Sequence, residues 1–504
     1  MATDRSLTIP APIGGWNASD PIAAMPETDA IRMINFFPER GKISLRKGFR
    51  SHSTGHGAAV YSIFSYNADD GTSDLISCAN GKIWNSTTFN AAATQLATGF
   101  SVNKWQATNF KNRLFLVNGT DDPQTYDGST VAASAWTGIS NDAVLINVSA
   151  FKERLYFVEK NSTSVWWANT VGAVTGQLNE LDVGSFLRLG GKVVFGGSYS
   201  GNTGQGLEDL FVVISDQGEA LVYSGSFPTA SNWGLVGRYF LPKPLGDKYR
   251  AFENINADLV AVTEAGTFPL STIFSDKLAL QQDNSLTNKI NEALNAYAKD
   301  YGINYGWEIK LHTASRFAII NIPISTTVFR QAVVNMLSGS WCEYRGWNFL
   351  SFVSCNGKLY GAGTDGVIYE CDYGFNDDGD PIEFEVKWAF NYLGNPGQYK
   401  LLHKVMPLML AENEVEFGFG ADPAFEDNAL DGVVNLEGAI GTEWDTEPWD
   451  SFPWGGGTVY NKNWHTTPTA SNVGAVAFKM KGSVLDTKVE IFGLQVIYEN
   501  GGAY

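Results

Sequence analysis

An all-β chain built from small antiparallel sheets repeated about an axis is what this sequence predicts, on three observations. First, "NFKNRLFLVNGTDDPQTYDG" at 109–128 has a near twin, "AFKERLYFVEKNSTSVWWAN", at 150–169. Second, weaker copies of the same strand–turn–strand pattern return along the chain, mostly at intervals of roughly 35–50 residues, the length of a four-stranded blade in a β-propeller. Third, 53 glycines accompany 44% apolar and 13% aromatic residues, a composition that suits short strands and tight turns better than helical bundles.

Each twin reads as a hairpin. Leu114, Phe115, Leu116 and Val117 form a β-favouring run closed by the turn cluster "NGTDD", and a second strand carries Tyr126. Leu155, Tyr156, Phe157 and Val158 repeat the run, "EKNSTS" the turn, and Val165, Trp166 and Trp167 the second strand. The weaker copies are "DLISCANGKIWNST" at 74–87, "DLFVVISDQGEALVYSG" at 209–225, "NADLVAVTEAGTFPLS" at 256–271 and "SFVSCNGKLYGAGTDGVIYEC" at 351–371, with another meander over 316–346. The stretch 60–375 therefore has room for six to eight blades. Phe110 and Phe151 are expected to pack between blades, and Arg113 and Arg154 to hold turns.

With 504 residues the chain exceeds what one core holds, and three regions are expected. Residues 1–59, rich in Pro, Gly and Asn, read as an extended N-terminal arm that must lie on its own propeller or on a neighbour, because it has no core of its own. Residues 60–375 are the propeller, interrupted by a helix at about 283–302. There Leu286, Ile290, Leu294, Tyr297 and Tyr301 share a face, with Ser285 as N-cap and Gly302 as stop. Residues 376–504, opening on the acidic hinge "DYGFNDDGDPIEFE", read as a β-sandwich-like or jelly-roll-like domain.

A net charge of -18 argues against a protein that grips phosphates through a basic face, but not against a surface past which DNA slides. Cys78, Cys342, Cys355 and Cys371 lack metal-ligand spacing and read as reduced, mostly buried thiols. The opening "MATDRSLTIPAPIGG" shows no basic region followed by an apolar run, so no signal peptide is expected. No apolar stretch approaches the ~18 residues of a membrane span, so a soluble protein without a membrane span is expected.

No nucleophile or nucleotide signature is found: neither Gly-x-Ser-x-Gly, nor Gly-x-x-x-x-Gly-Lys-Ser/Thr, nor His-Glu-x-x-His occurs. "SDQGEALV" at 215–222 fails the order Ser-x-Asp-x-Gly-x-Thr-Trp of sialidase-type boxes. A paired-carboxylate glycosidase stays open, since carboxylate separation is invisible in sequence. "NDDGDPIE" at 376–383 looks faintly like a calcium loop, but its ligand ladder is wrong for an EF-hand, and it reads as an acidic surface turn. No catalytic residue, metal or cofactor is therefore assigned. From 405 to 461 there are twelve Asp or Glu and no Lys or Arg. Within it "EWDTEPWDSFPW" sets Trp444, Trp449 and Trp454 among Glu443, Asp445, Glu447 and Asp450. Tryptophan is enriched at interface hot spots, so the three are candidates for a subunit interface, with sugar stacking as the other reading.

Residues 9 to about 66 carry a resemblance. "PAPIGGWNASDPIAAMPETDAIRMINFFPERGKISLRKGFRSH" has Pro-x-Pro-x-Gly-Gly-x-Asn, then Met25-Pro26, then Asn35, Phe37 and Pro38, then Arg46, Gly48 and Phe49, before "TGHGAAVYSIFSY". This opening resembles a family of bacteriophage and prophage structural proteins. The β-rich layout is more loosely similar to the tail nozzle and hub (tail tubular) proteins of short-tailed phages. That resemblance implies a non-enzymatic virion protein, synthesised in the host cytoplasm. It would form a ring with itself, six copies being expected, and link connector (adaptor) and fibre proteins. Double-stranded DNA would pass through without specific binding. Trp16, Phe37, Pro38, Arg46 and Phe49 join the three tryptophans as expected subunit-interface residues, and Glu443, Asp445, Glu447 and Asp450 are the expected acidic conduit. The alternative is a glycan-binding or glycan-cleaving tail propeller that recognises the host surface.

Overall fold

The structure, a computed structural model, describes residues 5–202, 207–246, 248–255, 258–275, 285–413, 415–427, 430, 433–436, 459–460, 464–466 and 473–503. The chain divides into two compact units: residues 51–331 with 347–371, and residues 1–50 with 332–346 and 372–504.

The first unit is a β-propeller. Seven sheets follow one another, and each starts with a strand that has a partner on one side only: Val60–Asn67, Gln106–Phe110, Leu145–Phe151, Val193–Asn202, Phe252–Ile255, Glu308–His312 and Phe349–Cys355. These seven inner strands all line one central cavity, so the sheets are blades about an axis. Blades 1 to 4 have four successive antiparallel strands, whereas blade 5 has three, its last (Gly266–Pro269) running into a helix, Leu270–Ser275. Blade 7 completes itself with Gly48–Thr54, a strand that precedes blade 1 in sequence. Pairing an early strand with the late strands of blade 7 makes the last seam part of the hydrogen-bond ladder.

The twin hairpins are the inner hairpins of blades 2 and 3. Their turns, Lys111-Asn112 and Lys152-Glu153, all have positive φ (48°, 53°, 42° and 59°), the two-residue turn whose twist matches a hairpin. The repeated Phe-Lys-x-Arg-Leu thus encodes one tight turn twice. Arg154 Nη1 donates to the carbonyls of Ala168 (2.9 Å) and Asn169, tying the hairpin to the next strand's end.

The core lies between blades. Tyr66, Ile76, Cys78 and Ile83 of blade 1 pack with Trp105, Leu114, Leu116 and Tyr126 around blade 2. Phe110 and Phe115 of blade 2 pack with Leu155 and Phe157 of blade 3. Phe151 and Tyr156 of blade 3 meet Phe211 of blade 4 at centroid distances of 5.4 and 4.4 Å. Val60 and Ile63 of blade 1 meet Tyr360 and Ile368 of blade 7. Alternate residues of a strand face opposite sides of its sheet, so blades 1, 2 and 3 each bury both faces against their neighbours. All four cysteines are free and buried, and burial pushes the Cys78, Cys342 and Cys355 thiols up, holding them protonated.

The helix expected at 283–302 is shorter than the sequence suggests, spanning Asn291–Tyr301 after a 3-10 turn at Asn288–Ile290. Ile290 and Leu294 are buried as expected, but Leu286 is exposed. Ser285 does not cap the helix: its hydroxyl donates to Thr267 O (3.1 Å) and is shared with Thr287.

Among the described residues the second unit has two sheets. One runs, strand by strand, Trp341–Arg345, Gly15–Trp16, Asp29–Ile34, Ile382–Trp388, Val476–Val484, Val415–Pro423 and Val433–Leu436. The other contains Gln398–Ala411, Val489–Ala503, Lys42–Leu45 and Phe36–Glu39, with Arg5–Pro10 pairing along Val489–Ala503. Phe36 of one sheet meets Phe384 of the other at 5.2 Å. Of the residues expected as an extended arm lying on the propeller or on a neighbour, Arg5–Pro10, Gly15–Trp16, Asp29–Ile34, Phe36–Glu39 and Lys42–Leu45 are strands of this unit. They find edges to pair with among strands at the far end of the sequence, a partnership with no local signal.

Candidate functional site

The propeller's central cavity, about 440 Å³, is where the inner strands bring polar groups together. At its base Arg250 Nη2 pairs with Glu308 Oε2 at 2.7 Å, and both side chains are buried. The other Glu308 oxygen accepts the Phe352 amide at 2.5 Å. Arg250 also donates to Tyr305 Oη (2.7 Å) and to Ser351 Oγ, while Tyr305 Oη donates to Tyr61 O (2.8 Å). One guanidinium thereby joins strands of blades 6, 7 and 1. A second pair, Lys310 Nζ to Glu253 Oε2 at 2.7 Å, lies beside it.

Burial pushes the Glu308 carboxyl up, against the pull of Arg250, Lys310 and the Phe352 amide. Burial would push the Lys310 ammonium down, but Glu253 and Glu308 outweigh it and its pKa is raised. Both carboxylates are committed to cations, so using them as an acid and base for glycosidic cleavage would first require breaking an ion pair. Among the described residues, no three His, Cys, Asp or Glu side chains gather as metal ligands.

A second polar cluster sits at the ring closure. His56 Nδ1 lies 2.8 Å from Gly366 O, and Nε2 lies 3.0 Å from both Ser77 Oγ and Ser86 Oγ. His52 Nε2 lies 3.1 Å from Ser86 O. Burial holds both imidazoles below their ordinary pKa, hence neutral at pH 7. A Ser–His–Ser arrangement this deeply buried offers no nucleophile to a substrate; it bolts blade 7 to blade 1.

The expected interface residues Trp16, Phe37, Pro38, Arg46 and Phe49 fall within the second unit. Arg46 is buried, with Nη1 and Nη2 on the two oxygens of Asp377 (2.8 and 2.6 Å), Nε on Asn35 Oδ1 (2.9 Å) and Nη2 on Arg345 O (2.7 Å). The "NDDGD" turn is thus the counter-ion of this arginine. Trp16 and Pro38 are buried, Phe37 and Phe49 half-buried, and Pro38 O accepts from Asn335 Nδ2 (2.8 Å). Gly48 is required where it stands, because a Cβ there would lie 1.6 Å from Asn376 O. Trp16, Pro38 and Arg46 hold this chain's own strands rather than presenting surface. Trp444, Trp449, Trp454, Glu443, Asp445, Glu447 and Asp450 lie outside the described residues.

Sequence reasoning missed Arg250, Glu253, Glu308, Lys310 and the two histidines. Superimposing the first strands of the repeats exposes a signal: Gln106/Thr108, Asn147/Ser149 and Glu308/Lys310 place polar residues two apart on inner strands, where a fully buried strand would be apolar.

The described fold and cavity define a seven-bladed β-propeller closed by an N-terminal strand, joined to a two-sheet β unit. No family model and no curated protein matches the chain. Solved structures similar to it include YCF48 bound to a D1 peptide (9% identity, TM-score 0.38, covering 64% of this chain and 94% of that one). The computationally designed Ika8 protein (11%, 0.36, 64% and 99%) and a chain of the Mitotic Checkpoint Complex (9%, 0.35, 64% and 92%) are comparable. Likenesses this distant say nothing about activity or partners.

Proposed function

We propose that this chain is a non-enzymatic structural component of a short-tailed phage particle, part of the tail nozzle or hub. In that role it forms a ring with further copies of itself, joins connector to distal tail parts, and leaves a passage for DNA. The observation that carries this reading is the run of phage-like steps in residues 9–66, whose residues have architectural duties: Arg46 clamps Asp377 and Gly48 admits Asn376. A motif that fastens strands is what a building component needs.

Two further features support it. The cavity carboxylates are tied up in ion pairs rather than poised for chemistry. The net charge of -18 suits a wall that DNA passes, because duplex DNA, with one negative charge per ~1.7 Å, is held by cations and repelled by acids. That repulsion is screened within about 8 Å at physiological salt. Leu235, Val236 and Phe240, on the outer strand of blade 4, are exposed, as surface covered on assembly would be.

Sedimentation and electron microscopy of the purified chain with its neighbouring gene products test the reading. Closed rings, six copies being expected, support it; a persistently monomeric species that joins no particle overturns it.

A further inference from the structure

We propose that the outer edge of blade 4 is a docking surface for a second copy of this chain, and that the copy's acidic, tryptophan-bearing stretch 443–454 is what docks there. The inference rests on the self-assembly proposed above and deepens it by naming the two faces of one subunit contact. It does not depend on the particle being a phage.

Three observations point to that edge. The outer strand, Gly234–Phe240, pairs with Glu219–Ser224 and, among the described residues, with nothing on its other side. A row of backbone N–H and C=O groups is therefore open to an extended segment. Second, the edge is apolar. Leu189 and Val236 are 57% and 56% exposed, and Leu235 and Phe240 are exposed as well. They form one patch. Leu235, Arg238 and Phe240 stand opposite Tyr223, Leu221 and Glu219, alternate residues of the neighbouring strand and hence one face, while Val236 sits at the bulge in that ladder. The Glu219 carboxylate accepts the amides of Arg188 (2.9 Å) and Leu189 (2.6 Å), which brings their loop beside Phe240. Third, the patch is cationic. Arg188 is exposed, and Arg238 is partly exposed with an Nε that has no hydrogen-bond partner. Two neighbouring acids, Glu219 and Asp182, each already accept two hydrogen bonds, Asp182 from Gly184 N (2.8 Å) and Thr163 Oγ1 (2.7 Å).

The occupant follows from complementarity. An apolar, cationic patch on a chain of net charge -18 fits a segment that is aromatic and acidic. Such a segment lies in the same chain: within 405–461, where there is no Lys or Arg, Glu443, Asp445, Glu447 and Asp450 stand among Trp444, Trp449 and Trp454. Carboxylates bind guanidinium groups through charge-assisted hydrogen bonds, and Trp and Arg are the residues that carry most interface energy. Because every copy has both the edge and the stretch, the contact is head-to-tail and closes into a ring where the rotation allows.

The test is complementation between two full-length variants, read by sedimentation velocity. Arg188→Glu with Val236→Asp alters the edge at exposed positions, and Trp444→Ser, Trp449→Ser and Trp454→Ser together alter the stretch. The unaltered chain should self-associate and each variant alone should stay monomeric. An equimolar mixture should form a 1:1 complex, because each variant supplies the face the other lacks. A fluorescent peptide of residues 440–456 should bind the tryptophan variant with a Kd below ~100 μM, and the edge variant at least about tenfold more weakly. If the tryptophan variant does not fold, the peptide is titrated into the unaltered chain and the edge variant, and that comparison decides. A mixture that stays monomeric, as when each stretch lies on its own chain, overturns the proposal, and so does a peptide that binds both chains equally or neither. Rings that persist in the edge variant overturn this contact and leave the self-assembly standing, whereas an unaltered chain that never associates removes both.

Discussion

Removing the cation from the hub of the propeller should cost more than any comparable surface change. Arg250 and Glu308 are almost wholly buried, 2.7 Å apart, and Arg250 reaches strands of three blades. In Arg250→Met the Glu308 carboxylate stays in the cavity without its counter-ion, and breaking a buried pair from one side costs ~3–5 kcal/mol. Replacing both, as in Arg250→Met with Glu308→Leu, removes the stranded charge and should return most of that loss. The assay is a double-mutant cycle by urea unfolding, read as a coupling energy, with the melting temperature of the single variant falling by about 5–8 °C. The pH dependence supplies an independent sign. Burial already raises the Glu308 pKa, and losing Arg250 raises it further. A carboxyl whose folded pKa exceeds its unfolded value binds its proton more tightly in the native state, so stability falls as pH rises through that window. The Arg250→Met penalty should therefore shrink from pH 8 towards pH 5. A penalty under ~0.5 kcal/mol, or two single effects that simply add, would refute the hub assignment.

Further outcomes follow from other parts of the fold. His52 and His56 have depressed pKa values, so the unfolded chain binds more protons than the native one just below the free value of about 6.5. Their contribution is complete above that pH and is lost as pH falls towards the folded pKa; urea titrations should show a slope that His56→Gln reduces. Arg46→Ala should cost ~3–5 kcal/mol and raise hydrogen exchange in residues 372–388 while leaving blades 2 and 3 protected. Phe211→Ala, emptying a site between blades 3 and 4, should cost ~3–5 kcal/mol by thermal unfolding. Replacing Lys111-Asn112 by Asn-Gly, which suits two positive φ angles, should stabilise by up to about 1 kcal/mol.

The blades were legible because their signals are local. A turn of two residues and the flanking apolar run lie within twenty positions, and Phe-Lys-x-Arg-Leu writes the same hairpin at 110 and 151. The closure of blade 7 by Gly48–Thr54 was not, because its partner strand Ile368–Tyr373 is distant in sequence. The same holds for Arg5–Pro10, whose pairing with Val489–Ala503 turns an expected arm into an integral strand. Ser285 looked like a helix cap by composition, yet its hydroxyl is used by Thr267 and Thr287, so the helix starts six residues later, at Asn291. The cavity was hardest to foresee. Arg250, Glu253 and Glu308 are unremarkable among 35 basic and 53 acidic residues until the blades carry them to one axis.

Locating this chain in assembled particles tests the central claim most directly. Electron microscopy with a tag on the chain should place a ring of copies between the connector and the distal tail, in a fixed number per particle. A chain absent from the particle, or present at no fixed number, would contradict the assignment.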